Sequence, residues 1–256
     1  MTPPSNVLEW FTHRQARGDF GAIPHALWIT VWHSAVALAI VIVVAVPLGA
    51  VLAHLRKAEL LASFFVSIGR AVPTVTVVGI AVIVSLRNGF GFEPWPIIVA
   101  LVLLGLPPAF ANTYAAVRSV DEGPVSAAAA MGATGRQVLW RVELPLALPV
   151  VMAGVRTAAV QIIATEPLGA FFGGEGLGAY LRQGLSIRDA YQVQAGALLV
   201  AGLAIGAELT LVLVTRLVVP RGLRRTSGIG RRRTPRTGRT STTPPMSDSL
   251  PGPVTV

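Results

Sequence analysis

Three charged residues sit in stretches otherwise suited only to hydrocarbon: Arg156 in "MAGVRTAAVQII", Glu166 in "IATEPLGA" and Glu208 in "LAIGAELTLV". Ionisable side chains at membrane depth are costly, so each marks an ion pair, a wet path or a solute-facing group. Arg156 lies about ten residues into its stretch, ~15 Å deep at roughly 1.5 Å per residue. Glu208 lies in the inner half of another stretch, and the two depths suit a pair; backbone carbonyls, water or another subunit are the alternative partners. Glu166 falls at the outer end of its stretch, where a carboxylate facing water is the favoured reading. The break "RAVPT" exposes backbone groups, which membrane depth tolerates only where protein or a water cavity receives them, so Pro73 and Thr74 are placed near a translocation path, with a simple packing kink as the alternative.

Other chemistry is poorly supported. There is no cysteine, hence no disulfide framework and no thiolate metal site. His13, His25, His33 and His54 lack metal-ligand spacing, and surface or helix-packing roles are expected for them. Serines are scattered without a partnering His and acid. No Gly-x-x-x-x-Gly-Lys-Ser/Thr is present and Lys57 is the only lysine, so a P-loop for ATP is excluded. The glycine-rich run from Gly169 to Gly184 follows no strand and is not a dinucleotide fingerprint; an outer loop or short re-entrant element is expected there.

The elements that must hold these residues are apolar helices. Of 256 residues, 53% are hydrophobic and 13% charged, with mean hydropathy +0.65, and the apolar residues come in runs rather than stripes. An all-α integral membrane protein follows, since a helix needs about 20 apolar residues to cross the bilayer core. Five spans are expected: about Ala26 to His54, bent at Pro47 and Gly49; a kinked or discontinuous one from Glu59 to Leu86; Pro96 to Val117; Leu146 to Thr165; and Val193 to Val219. The first run starts behind a polar lead and is too long for a signal-peptide core. Arg56, Lys57, Arg118, Arg136, Arg141 and the basic C-terminal stretch fall on one side, which the positive-inside rule makes cytoplasmic, with the N-terminus outside. Residues 1–23 form an extracytoplasmic lead and 24–220 the membrane domain. Residues 221–256, rich in Arg, Gly, Pro, Ser and Thr, form a disordered cytoplasmic tail whose arginines suit anionic lipid better than nucleic acid. Tryptophans fall mostly near span ends, as an aromatic belt requires.

Between the third and fourth spans lies "DEGPVSAAAAMGATGRQVLWRVELPLALP". Asp121 to Pro124 can open a helix, Val125 to Met131 is rich in the best helix former, and Gly132 suits a left-handed helix end. Thr134 can cap a second short helix through Trp140, and Leu144-Pro145 is expected to turn the chain back into the membrane. A short helix lying on the cytoplasmic surface results, at about residues 121–145.

This stretch resembles the cytoplasmic loop of permease subunits of binding-protein-dependent ABC importers, which carries Glu-Ala-Ala, a following Gly, a hydrophobic residue and Leu-Pro. Ala127, Ala128, Gly132, Val142, Leu144 and Pro145 occupy those positions, with Ser126 where the family usually has Glu. "VELPLALPVVMAGVRTA", "VAVPLGAVL", "GLPPAFANTYAAV" and "GEGLG" are similar to permeases for osmoprotectants such as glycine betaine, carnitine, choline or proline. The resemblance covers about residues 24–224. It implies the type I importer fold, with Ser126, Ala127, Ala128, Gly132, Leu144 and Pro145 contacting a separate ABC ATPase. The ATPase would hold ATP-Mg, leaving this chain without a cofactor. It also implies an extracytoplasmic solute-binding protein and a second permease chain, identical or related. A quaternary ammonium cation drawn to Glu166 is the functional reading of that carboxylate. An importer for another small solute, a secondary carrier or a membrane scaffold are the alternatives.

Overall fold

The computed structural model describes residues 6–12, 22–56, 73–92 and 94–219. Its helices are α1 (Val7–Thr12), α2 (Ala22–His54), α3 (Thr74–Arg87), α4 (Trp95–Arg118), α5 (Glu122–Ala130), α6 (Gly135–Val138), α7 (Leu144–Thr165), α8 (Gly178–Ile187) and α9 (Ala190–Val218). A π turn, Leu139–Glu143, joins α6 to α7, and a 3-10 segment, Glu166–Phe172, follows α7. Among the described residues, four stretches are long and apolar enough to cross a membrane: Ile23–His54, Trp95–Arg118, Gly135–Phe172 and Ala190–Val218. The remaining expected span is described only from Pro73 onward, where α3 has 14 residues. At about 1.5 Å per residue such a helix is too short to cross alone. The N-terminal lead beyond α1, the front half of the second span and the C-terminal tail lie outside the described residues.

The core is built where α2, α4 and α7 meet. Ala37, Val41 and Ala45 of α2 bury against Ile97, Leu101, Ala109 and Phe110 of α4 and Ala158 and Ile162 of α7. Between helices in lipid the hydrophobic effect offers no drive, so adhesion comes from close packing at small residues. Gly105 shows why: a Cβ there would stand 2.8 Å from Ile162 Cδ1 and 3.0 Å from Val41 Cγ2. At Gly154 a Cβ would overlap that of Asn112, so α4 and α7 touch backbone to side-chain base. α2 runs as one helix through Pro47, and Gly49 serves as its close approach to α4, where a Cβ would lie 3.1 Å from the Phe110 carbonyl. A second cluster, Ala50, Ala53, Ala116, Val117, Leu139, Ala147 and Val151, closes the end of the bundle that carries α5 and α6.

The connection from α4 to α7 is helical almost throughout. Asp121 caps α5, its carboxylate accepting from the Gly123 N–H at 3.2 Å, with Pro124 in the first turn. Gly132 takes φ +86°, the left-handed position that ends α5. Thr134 and Gln137 form a reciprocal capping box for α6. The expected turn at Leu144-Pro145 is absent: the chain continues as helix from Gly135, and Pro145, which has no N–H to donate, follows directly on the π turn, where the i→i−4 ladder is already interrupted. The second short helix ends at Val138, two residues before the expected Trp140, and the π turn that contains Trp140 carries the backbone straight into the fourth span.

At the other end of the bundle, the 3-10 segment leads through Gly173, at φ +94°, into α8, an amphipathic helix packed on α9. Phe172 packs with Val78 and Val82 of α3, anchoring that half-span.

Candidate functional site

Three groups of residues have site character. The first is the connecting segment. α5 exposes Ser126, Ala127, Ala129, Ala130 and Met131, the last at 83%, whereas Ala128 is buried and Leu144 half-buried. The sequence-predicted residues thus divide: Ser126, Ala127, Gly132 and Pro145 face outward, while Ala128 and Leu144 hold the segment to the bundle. Ser126 turns its hydroxyl back to donate to the Gly123 carbonyl at 3.0 Å, which leaves the α5 surface smooth and uncharged beyond its first turn. Met131 adds a pliable apolar tip that the sequence pattern did not single out.

The second group is in the spans. Arg156 Nε meets Glu208 Oε1 at 2.8 Å, joining α7 to α9 as their depths suggested. Both side chains remain a little over one-third exposed within the chain, in a recess of about 580 Å³ lined also by Thr157, Gln161, Ala204 and Ile205. A charge pair bare to lipid is costly, so this recess requires water or protein opposite it. α9 reinforces that requirement, since no residue of its most apolar window is buried.

The third group corrects an expectation. Glu166 does not face water at an interface: it is 2% exposed, at the start of the 3-10 segment, with its Oε1 3.3 Å from His33 Nδ1 of α2. Its Oε2 has no hydrogen-bond partner among the described residues. Beside it, Thr30 Oγ1 accepts the Leu177 N–H at 2.9 Å, so two side chains of α2 hold the segment that follows the fourth span. Gly176, at φ +90°, permits this closure, because a Cβ there would stand 2.7 Å from Thr30 Oγ1 and 3.1 Å from Glu166 Oε1. Burial arises because His33 of α2 and the loop through Gly176 and Leu177, tied to Thr30, close over the carboxylate.

Pro73 is exposed at the N-terminus of α3, its carbonyl accepting from the Thr76 and Val77 N–H groups. Thr74 opens that helix, so the half-span begins where the sequence break places it. Among the described residues, no hydrogen bond brings Pro73 to the Arg156–Glu208 pair or to Glu166.

Two histidines carry more than packing. His33 partners Glu166, and His54, the last residue of α2, meets Glu143 of the π turn at 2.7 Å. The signal for His33 was available: an ionisable side chain in an apolar run warrants the same scrutiny as Arg156. Trp28, Trp32, Trp95 and Trp140 are exposed as a belt requires, but Trp10 is buried, edge-on to Tyr180.

Known proteins fit this architecture. Residues 45–224 match the family described as "Binding-protein-dependent transport system inner membrane component". The chain is 34% identical over 190 residues to the glycine betaine/carnitine/choline transport system permease protein OpuCB of Bacillus subtilis, covering 74% of this chain and 85% of that one. It is 35% identical over 185 residues to the choline transport system permease protein OpuBD of the same organism, with 72% and 80% covered. The osmoprotectant import permease protein OsmW of Salmonella typhimurium is 31% identical over 193 residues, with 75% and 90% covered. Among solved structures, a chain of the MetNI methionine ABC transporter in an inward facing conformation shares the fold, with TM-score 0.71 at 21% identity, covering 79% of this chain and 99% of that one. With the fold, the alanine-rich connecting segment and these relatives in agreement, the chain belongs to the family of binding-protein-dependent transport system inner membrane components.

Proposed function

We propose that this chain is the permease subunit of an ABC importer that carries an osmoprotectant such as glycine betaine, choline, carnitine or proline across the bacterial cytoplasmic membrane. The observation that carries the reading is α5, a short, smooth, exposed helix held at both ends by α4 and by the unbroken run from α6 into α7. A helix so mounted can receive a push from an ATPase and rotate the spans as one body. ATP-Mg sits on that separate ATPase, and a binding protein delivers the solute from outside. The positive-inside pattern puts α5 and the C-terminus in the cytoplasm and Glu166 toward the outer face. A second permease chain, identical or related, covers the recess of Arg156 and Glu208. The relatives support the substrate class, being named as permeases for glycine betaine, carnitine and choline, for choline, and for osmoprotectants.

Uptake of radiolabelled glycine betaine, choline, carnitine and proline at high osmolarity tests this, in cells lacking other osmoprotectant transporters. Uptake that requires both this gene and its ATPase is the expected result. Uptake unaffected by deletion rejects the substrate class; failure of the chain to co-purify with any ATPase rejects the importer reading.

A further inference from the structure

The end of α2 grips the α4–α7 connection at two places. Arg56 takes φ +54°, the left-handed conformation uncommon for a residue with a Cβ, and there its Nη2 meets Glu122 Oε1 at 2.9 Å. Glu122 is the first residue of α5. His54 Nδ1 lies 2.7 Å from Glu143 Oε2, and Glu143 is the last residue of the π turn before Leu144-Pro145. The two contacts therefore bracket the whole segment. They differ in strength: the arginine pair is 62% and 77% exposed, and such surface pairs hold little. The histidine pair has side chains only 25% and 12% exposed. An ionised carboxylate only accepts, so a hydrogen bond to it here has Nδ1–H as the donor, and such charge-assisted bonds are shorter and stronger than neutral ones. The other side of the ring rests on α6, where a Cβ on Gly135 would stand 3.2 Å from Nε2. The imidazole is thus wedged between the start of α6 and the end of the π turn, on the last turn of a 33-residue span.

Resting on the importer reading above, we propose that the His54–Glu143 hydrogen bond is the positioning link that carries displacement of the α5–α6 segment into the first span. Without it the segment would still move α4 and α7, to which it is joined through the backbone, and α2 would follow through its apolar packing on them and the exposed Arg56–Glu122 pair, with no buried polar tie at its cytoplasmic end. The Arg56–Glu122 pair sets the orientation of the α5 start and is secondary.

The test uses the complete transporter, permease with ATPase and binding protein, in proteoliposomes, with ATP hydrolysis and glycine betaine uptake measured in the same vesicles. In Glu143→Ala and His54→Ala, solute imported per ATP hydrolysed is expected to fall roughly tenfold, the scale of one lost hydrogen bond to a charged group. His54→Asn keeps an N–H donor near the Nδ1 position and is expected to restore most of the ratio, which a merely structural role of the imidazole would not predict. An unchanged ratio in both alanine variants overturns the link. A second readout needs no assumption about the solute. The chain has no cysteine of its own, and Trp28, near the opposite end of α2, is 65% exposed, so Trp28→Cys takes a bimane label. The label is expected to respond to ATP in the parent and in His54→Asn, and not in Glu143→Ala. A response that survives Glu143→Ala overturns the proposal, as does a parent that never responds, for then α2 has no movement to be carried. Parent vesicles that respond to ATP but import no glycine betaine reject the solute class and leave the link standing.

Discussion

Replacing His33 by alanine removes the group that faces Glu166 Oε1 and leaves a carboxylate that is 2% exposed with neither oxygen satisfied by the contacts described. Breaking a buried pair from this side leaves an uncompensated buried charge, at about 3–5 kcal/mol. For a chain of this size that lowers the apparent melting temperature by about 10 °C. Glu166→Ala is milder, because it leaves an imidazole lacking one hydrogen-bond partner, a cost of about 1–3 kcal/mol. The double variant removes the stranded charge along with its cause. It should therefore melt above His33→Ala and within about 1 kcal/mol of Glu166→Ala, a coupling of roughly 2 kcal/mol or more. Fluorescence-detected unfolding of the purified permease in detergent, with all four proteins at one pH and ionic strength, measures the cycle. If the two single costs simply add, or if His33→Ala is the milder of the two, the burial of a charge-bearing pair between α2 and the 3-10 segment is refuted. Glu166→Gln separates structure from transport: stability near that of the parent with uptake lost would assign the carboxylate to the solute path, and normal uptake would confine it to the closure made with Thr30 and Gly176.

The Arg156–Glu208 pair should behave as a coupled unit across α7 and α9, each alanine variant losing stability and the double recovering about 1 kcal/mol relative to the sum, a value typical of polar contacts between helices in membranes; thermal unfolding of the four proteins decides it. Gly154→Leu places a side chain where the Asn112 Cβ already stands, so a loss of at least ~2 kcal/mol and a sharp fall in monodisperse protein on size exclusion are expected. Ser126→Glu restores the residue usual in the importer loop motif on an exposed face of α5, and the amount of ATPase retained through purification should rise; unchanged or reduced retention shows that the smooth serine surface is the one this ATPase fits.

Much of the architecture was legible because lipid leaves few options. Runs of about 20 apolar residues specify spans by length alone, and the capping chemistry of Asp121, Gly132 and Thr134 was readable one residue at a time. The Arg156–Glu208 pair followed from the cost of charge at depth. Glu166 was misread because its surroundings are not local: whether a carboxylate at a span end meets water or is folded over depends on the path of residues 173–177 and on His33, far off in the chain. The expected turn at Pro145 failed for a related reason. A proline near the start of an apolar run is equally compatible with a turn and with the first turn of a helix, and only the capping box at Thr134 and the π turn beyond it decide for the helix.

That π turn also sets what changes of length the chain tolerates. A π turn holds one residue more than an α turn, so side chains on its two sides are out of phase by about 100° relative to a continuous α-helix. Deleting one residue between Leu139 and Glu143 lets the turn close as ordinary α-helix, and because the π turn absorbs that residue locally, the parts before and after it keep their mutual orientation. The same deletion inside α7, where no such turn absorbs it, would swing Gly135 and α5 by about 100° against the rest of the span. In lineage terms the extra residue is an insertion that can be reversed in place, and alignments of relatives should place single-residue gaps within the five residues in preference to beside them.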